Sequence, residues 1–226
     1  MKLKDKVALI TGGGRGIGKA VALDYAREGA KIAICSRTGA EIETAAKEIK
    51  ALGTECLAVE CDVSLEEPVS KLVEKVQERF GRIDVLINNA GVMIRPAPVA
   101  ETELKKWDYT MAVNLRGPFL VTKAVLPLMM RRKSGAIINV SSSIGRGAYA
   151  NFAAYATSKW GIEGFTQTLA AEVGSYNIRV NSVEPGYVAT KLTGYRGSTP
   201  ESVTDIFIFL GSDEAKNISG RMLSSS

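Results

Sequence analysis

The chain has 226 residues, 46% of them hydrophobic, with 29 Lys and Arg against 24 Asp and Glu and a net charge of +5. That apolar share excludes a disordered chain, and the length suits one domain, residues 1–226, with a core of its own. Histidine is absent, which excludes triads with a histidine base and histidine-ligated metal sites, so proton transfer falls to Tyr, Lys, Ser, Asp or Glu. Cys35, Cys56 and Cys61 are odd in number and lack CxxC spacing. They read as reduced thiols in or beside strands of a cytoplasmic protein. The first residues carry no signal-peptide core, and no apolar run approaches the ~18 residues of a membrane span. The densest basic run, Arg131-Arg132-Lys133, reads as a solvated helix end. Without a broad basic face interleaved with aromatics, no nucleic-acid partner is expected.

In chain order, Val7 to Ile10 reads as a buried strand and Ile17 to Arg27 as a helix closed by Gly29. Lys31 to Cys35 is a second strand, followed by a helix from Ala40 to Leu52. Cys56 to Glu60 is a third strand, Leu65 to Phe80 a helix stopped by Gly81, and Ile83 to Ile87 a fourth strand. Leu104 to Leu115 and Phe119 to Met130 read as two helices, with Pro118 in the first turn of the second. Ala136 to Val140 is a strand, Ala153 to Ser175 a long helix, and Ile178 to Val183 a strand. Pro200 to Leu210 is a helix, and Arg221 to Leu223 a seventh strand. The strands are short and apolar with little polar alternation, as in a parallel sheet covered on both faces. Such alternation predicts an α/β, doubly wound, Rossmann-type domain of six to seven strands.

Thr11-Gly12-Gly13-Gly14-Arg15-Gly16-Ile17-Gly18 stands between the first strand and the first helix. Glycines there let a pyrophosphate approach the free N–H groups of a helix N-terminus. The spacing, Gly12-x3-Gly16-x-Gly18, differs from G-x-G-x-x-G, so the strand-loop-helix context carries the reading. Tyr155 and Lys159, four residues apart, share one helix face. An ammonium there would favour the phenolate and lower the ordinary Tyr pKa of ~10.

With these pieces, the sequence resembles the short-chain dehydrogenase/reductase family. The T-G-x3-G-x-G loop is followed in order by Asp62-Val63, Asn88-Asn89-Ala90-Gly91, Asn114, Ser141-Ser142-Ser143, Tyr155-x3-Lys159, Asn181 and Pro185-Gly186. The likeness runs from about Lys4 to Arg221. It is broadest to 3-oxoacyl-[acyl-carrier-protein] reductases and related carbonyl reductases. The resemblance implies hydride transfer between a nicotinamide cofactor and a ketone or secondary alcohol. Tyr155 would be the general acid or base, and Lys159 would hold the nicotinamide ribose. Ser142 would bond the substrate oxygen, and Asn114 would kink its helix and hold a relay water. The cofactor site it implies takes in Gly12, Gly14, Arg15, Gly16, Ile17, Gly18, Ser36, Arg37, Asp62, Val63, Asn89, Ala90, Gly91, Tyr155, Lys159, Pro185, Gly186, Val188 and Thr190.

The second strand ends Ile34-Cys35-Ser36-Arg37-Thr38, without the carboxylate that bonds the ribose 2′-OH of NAD. Arg37, joined by Arg15, could grip a 2′-phosphate through a planar fork, so NADP(H) is expected over NAD(H). Met93, Ile94, Ile144, Tyr149, Tyr187 and Leu192 are expected to wall the substrate pocket. The link Lys191 to Thr199 is short where many family members carry a longer lid, which suggests an open site. Trp160 replaces a small residue, and Glu184 is an unusual charge near the nicotinamide end. A homodimer or homotetramer is implied, with a small carbonyl or alcohol, free or acyl-carrier-bound, as substrate. Two other readings stand beside this one: a sugar, polyol or steroid dehydrogenase of the same family, and a cofactor-binding scaffold or redox sensor without turnover.

Overall fold

Runs of Val, Ile, Leu and Ala find their backbone partners in one parallel sheet. In the computed structural model, which describes residues 1–225, the strands are β1 (Val7–Thr11), β2 (Lys31–Ser36), β3 (Cys56–Glu60), β4 (Val85–Asn88), β5 (Gly135–Val140), β6 (Ile178–Glu184) and β7 (Met222–Ser224). Their order is β3-β2-β1-β4-β5-β6-β7, and every pair is parallel. The connecting helices are α1 (Gly16–Arg27), α2 (Gly39–Ala51), α3 (Glu66–Phe80), α4 (Leu104–Met111), α5 (Gly117–Arg132), α6 (Ala153–Val173) and α7 (Asp205–Gly211). Successive strand residues face opposite sides. Ala8 and Ile10 therefore pack with Tyr25, Ile42 and Phe207 of α1, α2 and α7. Val7 and Leu9 pack with Leu72, Val125 and Leu169 of α3, α5 and α6. This is the doubly wound Rossmann arrangement, buried on both faces.

Three local expectations are corrected. The two helices around Asn114 are one continuous run, because a π-turn over Ala112–Arg116 joins α4 to α5. Pro118 falls inside this run, so the Asn114 carbonyl four residues before it meets no i+4 N–H. The helix from Pro200 is divided into a 3₁₀ turn, Pro200–Val203, and α7. At the junction, the Thr204 hydroxyl donates to Asp24 Oδ2 at 2.7 Å. Arg132 is more than a solvated helix end. Its Nη2 donates to Asp84 Oδ1 at 2.7 Å, while Asp84 Oδ2 accepts from the Val7 N–H at 2.8 Å and from Arg82 Nε at 2.7 Å. One buried carboxylate thus ties the start of β1 to the approach to β4 and the end of α5. Cys35, Cys56 and Cys61 are free and buried. No helix among the described residues is long and apolar enough to cross a membrane.

Candidate active site

Chain order reverses direction between β1 and β4, and such a switch point leaves a crevice at the carboxyl ends of the strands. A cleft of about 460 Å³ lies there. Its floor is the glycine loop. Gly12 has φ +66°, and a Cβ on it would stand 2.8 Å from Asn89 Nδ2 and 3.0 Å from Ala90 Cα. Only glycine gives both that dihedral and that space. Thr11 locks the loop to the end of β4: its Oγ1 accepts from the Asn89 and Ala90 N–H groups, each at 3.0 Å. Asn89 Nδ2 donates back to Thr11 O at 2.8 Å. Gly12, Gly14, Arg15, Gly16, Ile17, Asn89, Ala90 and Gly91 all line the cleft. Gly18 does not. A Cβ there would meet Gly12 O at 2.4 Å, so its work is close packing of α1 beneath the loop.

At one end, Ser36, Arg37, Asp62 and Val63 line the cleft with Thr38, Glu41 and Cys61, three residues that the motifs did not mark. Arg15 Nη1 pairs with Glu41 Oε1 at 2.7 Å. The Arg37 guanidinium stands 3.9 Å from Asp62 Oδ2 and stacks 5.5 Å from the Tyr109 ring centre. The other Asp62 oxygen accepts from Ser64 N–H at 2.9 Å and shapes the turn after β3.

At the opposite end, β5 delivers Ser142 and α6 delivers Tyr155 and Lys159 to the same wall. Ser142 Oγ accepts from the Ile144 N–H at 3.4 Å and lies near the Tyr155 phenol. Lys159 Nζ donates to Val140 O at 2.8 Å and lies 5.6 Å from the Tyr155 ring centre. Burial raises the Tyr155 pKa, and the Ser142 hydroxyl lowers it only in part. This reverses the lowering expected from the ammonium, because desolvation of the phenol dominates. The same burial lowers Lys159 from 10.5 to about 8.

Asn114 is buried outside the cleft lining. Its Oδ1 accepts from Val92 N–H and its Nδ2 donates to Val92 O, both at 2.8 Å, with a further bond to Ser158 Oγ at 3.2 Å. The expected helix distortion is the π-turn, but the side chain is consumed in fixing the loop that follows Gly91. Pro185, Gly186, Val188 and Thr190 line the far wall, and Thr190 Cγ2 would lie 3.1 Å from a Cβ on Gly16.

Of the expected substrate wall, Met93 and Leu192 line the cleft. Ile94 lines a small adjoining crevice that Tyr155 shares, with Asn151 and Phe152. Ile144 is buried in the packing, while Tyr149 and Tyr187 are 56% and 62% exposed. A hydrophobic residue after a strand end was a weak signal, because it serves core and pocket alike. Glu184 pairs at 3.9 Å with Arg146 rather than facing the cleft. The short link folds back on itself, with Ala189 N–H donating to Ser198 O at 2.8 Å and Tyr195 N–H to Thr190 O at 2.7 Å.

Fold and cleft together define a dinucleotide-binding oxidoreductase, and residues 6–201 match the model of the short chain dehydrogenase family. The chain belongs to that family. It is 36% identical to the 3-oxoacyl-[acyl-carrier-protein] reductase of Thermotoga maritima, with 99% of this chain and 97% of that protein covered. It is 38% identical to the trans-4-hydroxycyclohexanecarboxylate dehydrogenase of Sinomonas cyclohexanicum, covering 98% and 92%. Among solved structures, an NAD⁺-bound xylitol dehydrogenase superposes with a TM-score of 0.94 at 32% identity, covering 99% of this chain and 98% of that one.

Proposed function

We propose that the protein is an NADP(H)-dependent reductase of ketones, acting on 3-oxoacyl or similar carbonyl substrates, free or carrier-bound, and reversible toward the secondary alcohol. The observation that carries it is the convergence of Ser142, Tyr155 and Lys159 at one end of a glycine-floored cleft that has Arg15 and Arg37 at its other end. The residues fit the dinucleotide: the glycine loop leaves no room for side chains where a pyrophosphate must approach N–H groups. A bound nicotinamide supplies the hydride. This chain supplies the rest. Ser142 donates to the substrate oxygen, and Tyr155 gives that oxygen its proton in reduction or removes it in oxidation. Lys159 holds a positive charge beside the phenol and bonds the ribose, and with the oxidised cofactor's charge it offsets the desolvation of Tyr155. With the Asn114 side chain committed to Val92, a relay water falls to its main-chain carbonyl, whose i+4 residue is Pro118 and has no N–H to donate. The folded-back 191–199 link leaves the site open to varied carbonyls. Exposed Phe119 and Trp160, on α5 and α6, supply the contact for a homodimer or homotetramer.

Loss of NADPH absorbance with acetoacetyl-CoA and a panel of simple ketones tests the activity. Turnover of none of them, with NADP⁺-linked oxidation of polyols, would overturn the reductase reading. A second reading, an NAD-dependent polyol dehydrogenase, is favoured by one observation: Glu41 already neutralises Arg15. Arg37→Asp separates the two. It is expected to lower the ratio of kcat/KM with NADPH to that with NADH by about 10- to 100-fold, the value of one or two charge-assisted bonds. An unchanged ratio would remove Arg37 from phosphate recognition.

A further inference from the structure

Glu163 is a buried acidic side chain that the reaction described so far does not use. It sits on α6 one turn beyond Lys159 and two beyond Tyr155, and is 7% exposed. Its Oε2 accepts from Ser182 Oγ at 2.8 Å, and its Oε1 is buried with no hydrogen-bond partner. Ser182 of β6 is registered with Asn139 of β5, and Asn139 with Asn88 of β4. Asn139 Nδ2 donates to Thr166 Oγ1 of α6 at 2.9 Å, so the helix lies on a polar row that crosses the sheet beneath the cleft. A carboxylate buried there is costly unless a positive charge answers it.

Lys159, four residues earlier on the same face of α6 and also buried, is placed to answer it without a direct ion pair, and Glu163 raises the pKa of Lys159 against the effect of burial. Other charged or titratable groups on the packed elements do not take this place. On α6 itself, Tyr155 faces the cleft and Glu172 is exposed; Tyr176 follows its end. Lys105, Lys106 and Asp108 of α4 and Arg116 of the π-turn are exposed, as is Arg146 after the Ser143–Gly145 turn. From β6, Arg179 donates to Ser212 O at 3.0 Å and Glu184 faces Arg146. β5 brings no charge.

We propose that Glu163 is a positioning residue for the reaction: its buried carboxylate, aimed by Ser182, holds Lys159 as an ammonium from behind. This rests on the roles given above to Tyr155 and Lys159. The test follows Lys159 directly, by the pH titration of its ¹³Cε resonance in protein made with labelled lysine and assigned by its loss in Lys159→Met. The wild-type midpoint is expected near pH 8, and the Glu163→Gln midpoint about one pH unit lower, with Glu163→Asp close to wild type. The alkaline limb of kcat/KM moves with it. An unmoved Lys159 midpoint in folded Glu163→Gln overturns the proposal, as does a fall in kcat with both pH midpoints unchanged. If Glu163→Gln does not fold, Glu163→Met, which leaves no unpaired acceptor, carries the same test. The resonance reads charge without turnover, so an inactive wild-type protein would remove the catalytic reading and leave this coupling measurable.

Discussion

Tyr155→Phe is expected to lower kcat/KM by about 10²–10⁴-fold, the range for loss of a positioned proton donor, while the affinity for NADPH stays close to wild type. Tyr155 is the only tyrosine among the described residues that line the cleft, and the chain has no histidine to take its place. The ring itself remains, so the packing of α6 beside β5 is kept. Steady-state kinetics on any ketone that the wild type reduces, with a cofactor titration of the same preparation, make the measurement. A variant within about threefold of wild type would refute the role of Tyr155, since acid–base catalysis contributes well above that.

Asp84→Asn is expected to cost about 2–4 kcal/mol of stability without touching the cleft. Removing one partner from a buried, hydrogen-bonded ion cluster typically costs about 3–5 kcal/mol, and the discount reflects Arg82 and Arg132, which are 45% and 32% exposed. Asp84 itself is 8% exposed and receives bonds from two guanidinium groups and the Val7 N–H. These bonds outweigh burial and hold its pKa below 3.8. A carboxylate with a depressed folded pKa contributes stability above its unfolded pKa and loses it as pH falls through the folded one. The difference between wild type and variant is therefore full at neutral pH and shrinks below about pH 4. Urea unfolding at two pH values checks both parts. A loss under about 0.5 kcal/mol at neutral pH would place Asp84 among ordinary surface ion pairs.

Much of this was legible because the strands are buried on both faces. Val7 to Ile10, buried along its whole length, stands out as a short apolar run whatever surrounds it, and the glycine loop between strand and helix announces the cleft. What stayed hidden depends on contacts distant in sequence. The π-turn around Asn114 answers the Val92 backbone, 22 residues away. Arg132 looked like a solvated helix end because Asp84, 48 residues earlier, is not visible as its partner. Glu41 gave no sign of pairing with Arg15. Tyr155 and Lys159 were legible as a pair, but the direction of the Tyr155 shift was not, since desolvation is a property of the fold and not of the spacing. For the same reason the sequence did not separate Met93 and Leu192, which line the cleft, from Ile144, which is buried, and from Tyr149 and Tyr187, which are exposed: an apolar residue near a strand end carries no mark of which surface it joins.

We propose that this cleft takes a nicotinamide dinucleotide and reads its 2′-phosphate through Arg15 and Arg37. Fluorescence titration of the purified protein with NADPH and, in parallel, with NADH distinguishes the cofactors. Saturable binding is expected, with NADPH at least about tenfold tighter, the value of one charge-assisted contact. Equal or tighter binding of NADH, or binding of neither, would contradict it.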